Sequence, residues 1–405
     1  MLATHRAGVQ TKRAGFLPGF APANGGMTPL LGDAPDGPAP PKESSMPRTL
    51  PFLLSTMSVL APTLAAQQAV SPADRASLEG SSFTQFPLGR HNARMQTLHA
   101  DVPGGTLIAG HAYRRDAAGV RGQVDGFVSD LEVSLSISPR LPTQASTTFA
   151  LNSGPNPVVV LPRTVLAFPP TQRPSLDPAP SFELVIPYQF PFLMPAAGGT
   201  LCVDVVVHGN TTTSGTNVNF SCYLDSHDLY SDGRAEQIGF RTFQGCAAPG
   251  ATTACTASMT YWRLPAAAQL DIALRRGVPE TGSGLTRAFV TLGHALAGGP
   301  WPLRADCPFW SSSELWFLLP GTPSALGDLD ASLTGLPHLP PGFRLWCQAG
   351  SIDLATADMA FSDAVTFVTP PPGPLPIPVS RIVNSTNRAA ATGTVSYSVP
   401  VMAFL

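Results

Sequence analysis

Hydrophobic and polar residues alternate one by one along much of this chain. Leu131, Val133, Leu135 and Ile137 are separated by Glu132, Ser134 and Ser136, the period of a half-buried strand. Phe182, Leu184 and Ile186 repeat the pattern, as do Leu201, Val203, Val205 and Val207 and, further on, Leu270, Ile272 and Leu274. Thr106–Tyr113, Val158–Leu161, Arg163–Phe168, Gln237–Phe243 and Met259–Leu264 read as shorter strands. Ala288–Leu292, Glu314–Leu319, Phe343–Ala349 and Ala364–Val368 continue the series, and Thr394–Leu405 alternates once more. Turn-rich stretches such as Asn152-Ser-Gly-Pro-Asn-Pro157 lie between them. After residue 67 no segment combines a long 3.6-residue period with helix caps. The pattern predicts an all-β chain, folded as two consecutive β-sandwich domains of jelly-roll or Ig-like type and stapled by disulfides.

The bland joint Pro265-Ala-Ala-Ala268 places a boundary within Leu264–Gln269. That gives a linker over 67–77, a first domain over 78–264 and a second over 265–368. The Pro-rich segment 369–378 reads as a stiff polyproline II spacer, followed by a C-terminal strand segment over 379–405.

The N-terminal part carries a different signal. Met46-Pro-Arg48, the apolar run Leu50–Leu60 and the small residues up to Ala66 make a secretory signal peptide over 46–66, cleaved after Ala65 or Ala66. Such signals open a chain, so Met46 is the expected start, with 1–45 a non-native upstream extension lacking hydrophobic periodicity. The alternative takes Met1–Met27, basic and free of acids, as a transit peptide. No later apolar run reaches spanning length, so no membrane span is expected after signal removal. The alternating end at Phe404-Leu405 would suit an outer-membrane barrel, but frequent proline argues against one.

Composition narrows the partners. Of 405 residues, 43% are hydrophobic, enough for a sizeable core, and only 12% are charged. The net charge is −2 with no basic block, which excludes a phosphate-tracking surface and so nucleic acid. Lys12 and Lys42 are the only lysines, a usage that fits GC-rich coding. All six cysteines follow the signal, an arrangement that predicts three disulfides in an oxidising compartment. Proximity suggests Cys202–Cys222, Cys246–Cys255 across the Pro249-Gly250 turn, and Cys307–Cys347. No CxxC is present, which leaves zinc and dithiol redox chemistry without support.

Catalytic signatures are sparse. There is no Gly-x-Ser-x-Gly elbow and no HExxH. A triad assembled in space from the many serines and His91, His99, His111, His208, His227, His294 or His338 stays open. The densest acidic stretch, Asp225 to Glu236, makes Asp225, Asp228 and Asp232 the candidate calcium ligands; no other cofactor is indicated. The plainer reading has these aspartates capping turns and pairing with Arg234. Glu132, Glu183 and Glu314 read as outward-facing strand residues, not as a glycosidase pair. Trp301 and Trp310, in expected loops, are the candidate sugar-stacking residues, against the plainer reading that they pack over Cys307. Tyr261 and Trp262 are further aromatic candidates, while Trp316 and Trp346 are expected in the core.

Several segments carry a resemblance: Phe127–Ser138, Ser146–Pro155, Phe182–Pro187 running into Leu201–Val205, and Phe343–Ala349 followed by Ile352–Leu354. On these the mature chain resembles the uncharacterised secreted β-sandwich proteins of planctomycete-type bacteria. The resemblance implies export and β architecture and brings no activity with it. The expected function is that of a secreted or cell-surface structural or interaction protein, with a carbohydrate-binding or carbohydrate-active module as the alternative. Its expected partners are cell-envelope glycans or other surface proteins, in the periplasm, at the cell surface or outside the cell.

Overall fold

The computed structural model describes residues 68–117, 124–172, 179–238, 245–301 and 304–405. The expected extension 1–45, signal 46–66 and most of the strand expected at Gln237–Phe243 lie outside them. Within the described residues the secondary structure is β-strand with three 3₁₀ turns, and no helix is long and apolar enough to cross a membrane.

In chain order the strands are β1 (Ala69–Ser71), β2 (Ser82–Thr84), β3 (Ala93–His99), β4 (Leu107–Tyr113), β5 (Phe127–Ser138) and β6 (Val158–Phe168). Then come β7 (Leu184–Leu193), β8 (Thr200–Thr212), β9 (Gly215–Thr216), β10 (Leu224–Asp228), β11 (Arg234–Glu236) and β12 (Thr256–Arg263). The next six are β13 (Ala268–Arg275), β14 (Thr286–Gly293), β15 (Leu296–Trp301), β16 (Arg304–Ser311), β17 (Leu315–Leu318) and β18 (Leu329–Leu336). The last are β19 (Arg344–Asp353), β20 (Met359–Val368), β21 (Val379–Asn384), β22 (Thr394–Ser396), β23 (Ser398–Pro400) and β24 (Met402–Phe404).

A first core lies between two antiparallel sheets, one ordered β22-β21-β3-β8-β5-β6 with β9 on β8, the other β1-β24-β4-β7. The alternation in β5 and β8 is the cause: Leu131, Val133, Leu135, Val203, Val205 and Val207 are all fully buried. They meet Ile108, Leu184, Ile186 and Phe404 from the second sheet. Each such side chain contributes roughly 1.5–3 kcal/mol by leaving water. A short sheet, β2-β10-β23, completes this part.

A second core forms between the sheets β11-β12-β13-β18 and β17-β14-β19-β20. Leu270, Ile272 and Leu274 of β13 pack with Val290 of β14, Cys347 of β19 and Phe367 of β20. All ten residues of β20 are buried, because both of its faces are covered.

Several local differences from the sequence pattern have simple causes. The two strands expected at Val158–Leu161 and Arg163–Phe168 are one strand, β6, running through Pro162. Because β6 is a sheet edge, the missing N–H of Pro162 need not break the ladder. Leu264–Gln269, whose composition suggests a joint, holds the turn of the β12–β13 hairpin, in which Arg263 faces Ala268. Trp301 and Trp310 lie on the paired strands β15 and β16, not in loops. The segment after the Pro-rich stretch returns to the first core, with β21 pairing β3 and β24 lying between β1 and β4.

The cysteines pair differently from their order in sequence. Cys246 is bonded to Cys307, with a Cα–Cα distance of 4.9 Å. Cys202, Cys222, Cys255 and Cys347 are buried free thiols. The expected Cys202–Cys222 pair fails because the two side chains serve different layers. Cys202 sits one residue out of phase with Leu201 and Val203 and packs with Leu98 and Phe149, whereas Cys222 lies in the main core. The turn expected at Pro249-Gly250 is present, but backbone bonds close it, Ala251 N to Ala248 O (2.9 Å) and Cys255 N to Cys246 O (3.0 Å). Cys255 and Cys347 belong to the second core, while the Cys246–Cys307 bond is flanked by Phe289, Met359 and Phe361.

Candidate functional site

Two features gather polar chemistry, and a third is apolar. The first is a cleft of about 470 Å³ where the Pro-rich segment passes the acidic stretch; its walls include Arg75, Asp101, His227, Asp228, Tyr230 and Pro376. On β10, Asp225 and His227 point to one side and Asp228 to the other, so the three expected calcium ligands do not converge. Asp225 is fully buried and bonded to Gly80 N (2.9 Å) and Arg114 Nε (2.6 Å). Asp228 lines the cleft. Asp232 caps its own turn, accepting from Arg234 N at 3.2 Å and Arg234 Nη2 at 2.9 Å, as the plainer reading of the sequence has it. His227 meets Ser81 Oγ at 3.1 Å, and burial together with Arg75 holds its pKa well below the usual histidine range.

Beneath lies a group that the sequence pattern does not mark. Glu79, Asp116 and Asp225 each place an oxygen within 4.8 Å of the other two, the only such metal-ligating group of three among the described residues. No spacing signal could have found it, because its members come from three separated segments.

The second feature is the outward face of β11-β12-β13-β18. Cross-strand register puts Arg234 opposite Trp262, Trp262 opposite Gln269, and Thr260 opposite Asp271, with Ser332 on the far side of Asp271. Asp271 is the hub. It accepts from Trp262 Nε1 (2.7 Å), Gln269 Nε2 (2.7 Å) and Ser332 Oγ (2.6 Å). The Arg234 guanidinium lies over both Tyr230, at 4.0 Å, and Trp262, at 5.0 Å. Ser258, Thr260, Asp271, Asp330 and Ser332 line an open groove of about 410 Å³ here.

The chain matches no protein-family model and no curated protein.

The third feature is apolar. Trp316, expected in the core, is 48% exposed on the edge strand β17, stacked on Phe309 with ring centroids 5.6 Å apart. A depression of about 240 Å³ beside it is lined by apolar side chains such as Phe289, Ile352 and Met359. Trp346 is 2% exposed, as expected. Trp310 is partly buried and rests over Gly298 of the facing strand; the side chain of Trp301 lies outside the described residues.

One serine–histidine–aspartate group does assemble in space. Ser71 Oγ sits 2.7 Å from His99 Nδ1 and 2.5 Å from Asp101 Oδ1. The order is wrong for a nucleophilic relay, in which the carboxylate must hold the imidazole. Here the serine lies between them, and His99 Nε2 meets Thr97 Oγ1 at 2.8 Å. Burial, reinforced by His111, lowers the His99 pKa to about 3, so it is neutral and weakly basic. These contacts tie β1 to β3.

Proposed function

We propose that this chain is an exported surface-interaction protein with two β-sandwich domains, and that it binds carbohydrate on the outward face of β11-β12-β13-β18. The disulfide and the absence of a membrane-crossing helix among the described residues are compatible with export. The observation that carries the ligand assignment is the Trp262–Asp271 hydrogen bond, in which Asp271 lines the groove and Trp262 stands beside it on the same sheet. Sugars are recognised by an aromatic ring beside carboxylates and hydroxyls that bond their hydroxyl groups. Trp262, Asp271, Thr260 and Ser332 supply that mixture on one rigid sheet, and three fixed donors hold Asp271 in place. The Trp316 depression lacks this polar complement, which is why it is not the sugar site in this reading. Cell-envelope glycans are the ligand class that suits an exported protein with so few charges.

A glycan array, followed by tryptophan fluorescence titrated with the best polysaccharide, tests the proposal. Saturable quenching that Trp262→Ala and Asp271→Ala both abolish is the expected result. Silence across a broad polysaccharide panel, or quenching indifferent to both substitutions, would overturn it.

A further inference from the structure

Glu79, Asp116 and Asp225 are 2%, 4% and 0% exposed. Three carboxylates this close repel one another, and each has given up its water. For Glu79 the surroundings compensate only in part. Arg114, itself fully buried, gives Nε to Asp225 and turns its other nitrogens to the carbonyls of Arg75, Ala76 and Leu78. Its fork is thus spent on Asp225 and on backbone. Arg75 pairs with Asp74 at 2.8 Å. Glu79 keeps one bond, from Ala117 N to Oε1 at 2.7 Å, and its Oε2 is buried with no hydrogen-bond partner.

An orphaned carboxylate oxygen inside a protein calls for a missing group. We propose that Glu79, Asp116 and Asp225 form a buried calcium site. The site consists of oxygen only, the donor set that calcium prefers, and oxygens within 4.8 Å of one another can share a cation with bonds of about 2.3–2.6 Å. The cation gives Glu79 Oε2 the partner that no hydrogen bond supplies. It also has a structural consequence. The three ligands come from the segment after the 3₁₀ turn Ala73–Arg75, from the segment after β4 and from β10. One ion therefore fastens the chain ahead of β2 to the strand that carries His227 and Asp228 into the cleft. This site is separate from the groove at Asp271 and does not rest on the carbohydrate reading.

The rival occupant is a proton on Oε2, and burial next to Asp225 and Asp116 does push the Glu79 pKa well above its ordinary value. A glutamine imitates a protonated glutamate but cannot replace a calcium ligand's charge, so Glu79→Gln separates the two. The full chain is stripped with EDTA, desalted and titrated calorimetrically with calcium chloride, and its melting temperature is followed with and without calcium. The expected result is one calcium per chain and a melting point raised by about 4 °C when calcium stands at 100 times its Kd. In Glu79→Gln both the heat and the shift disappear while the circular dichroism spectrum is kept. If Glu79→Gln does not fold, Asp116→Asn serves as the second variant with the same expectation. No heat and no shift in the wild type at millimolar calcium would overturn the proposal. So would a Glu79→Gln protein that binds calcium as the wild type does.

Discussion

Replacing Arg114 by methionine tests how the polar interior of the first core is held. The side chain is fully buried, bonded to Asp225 at 2.6 Å and to three backbone carbonyls, and its guanidinium lies 5.0 Å from the centre of the Phe182 ring. Methionine fills much of the same volume but leaves Asp225 uncompensated beside Glu79 and Asp116. Breaking a buried pair from one side costs about 3–5 kcal/mol, because the remaining charge stays desolvated. At roughly 2.1 cal/mol/K per residue over the compact unit Leu64–Leu405, a loss of about 4 kcal/mol lowers the melting temperature by about 6 °C. Asp225→Asn removes the other partner and is expected to cost less, at most about 2 kcal/mol. The amide still accepts from Gly80 N, and Arg114 keeps the Glu79 carboxylate nearby. Urea unfolding in EDTA, read as the change in midpoint at constant slope, measures both. An Arg114→Met protein within 1 kcal/mol of wild type, or an Asp225→Asn protein less stable than Arg114→Met, would refute this account.

Thiol titration without reductant should find four free cysteines in denaturant and almost none in the native protein, where burial pushes Cys202 and Cys222 up to about 12. Two reactive thiols in denaturant would show that further pairs had formed. Cys246→Ser with Cys307→Ser should cost about 4 kcal/mol by the chain-entropy rule for a separation of 61 residues, measured by urea unfolding; an unchanged midpoint would count against it. His99 and His111 are held neutral with pKa values lowered to about 3, so the unfolded chain binds more protons between that value and about 6.5. Their contribution is complete above about pH 6.5 and falls, by about 1.4 kcal/mol per pH unit for each, as pH drops towards 3. His99→Gln should flatten the pH dependence by that amount between pH 6 and 5, and an unaltered slope would contradict it. Gly80→Ala should destabilise markedly, because an added Cβ would collide with the Ser226 carbonyl oxygen and approach Asp225 Oδ1 to 2.6 Å; a neutral melting curve would refute this.

What could be read from sequence was whatever strand period alone encodes. Leu131 to Ile137 and Leu201 to Val207 declare which face is inside, and the structure buries those faces nearly completely. Strand β3, with polar Gln96, Thr97 and His99 fully buried among hydrogen bonds, has no such alternation and gives no signal. The disulfide was illegible because it joins residues whose neighbourhood exists only after β16 lies against β20. The site residues divide in the same way. Asp232 and Arg234 are local partners and could be foreseen, whereas Glu79 and Asp116 acquire meaning only when three distant segments meet at Asp225.

The pairing of β1 with β24 brings Ala69 opposite Phe404, so the first core is fastened by the two ends of the described chain. This orders events in time. A chain that emerges from its N-terminus can complete the second core, built from residues between Arg234 and Val368, while β21 and β24 are still missing. Until they arrive, β3 and β4 lack a neighbour and present open edges, the state in which strands pair with the wrong chain. The last strands therefore act as a latch, and assembly of the first core waits on the slowest, most non-local contacts the topology contains.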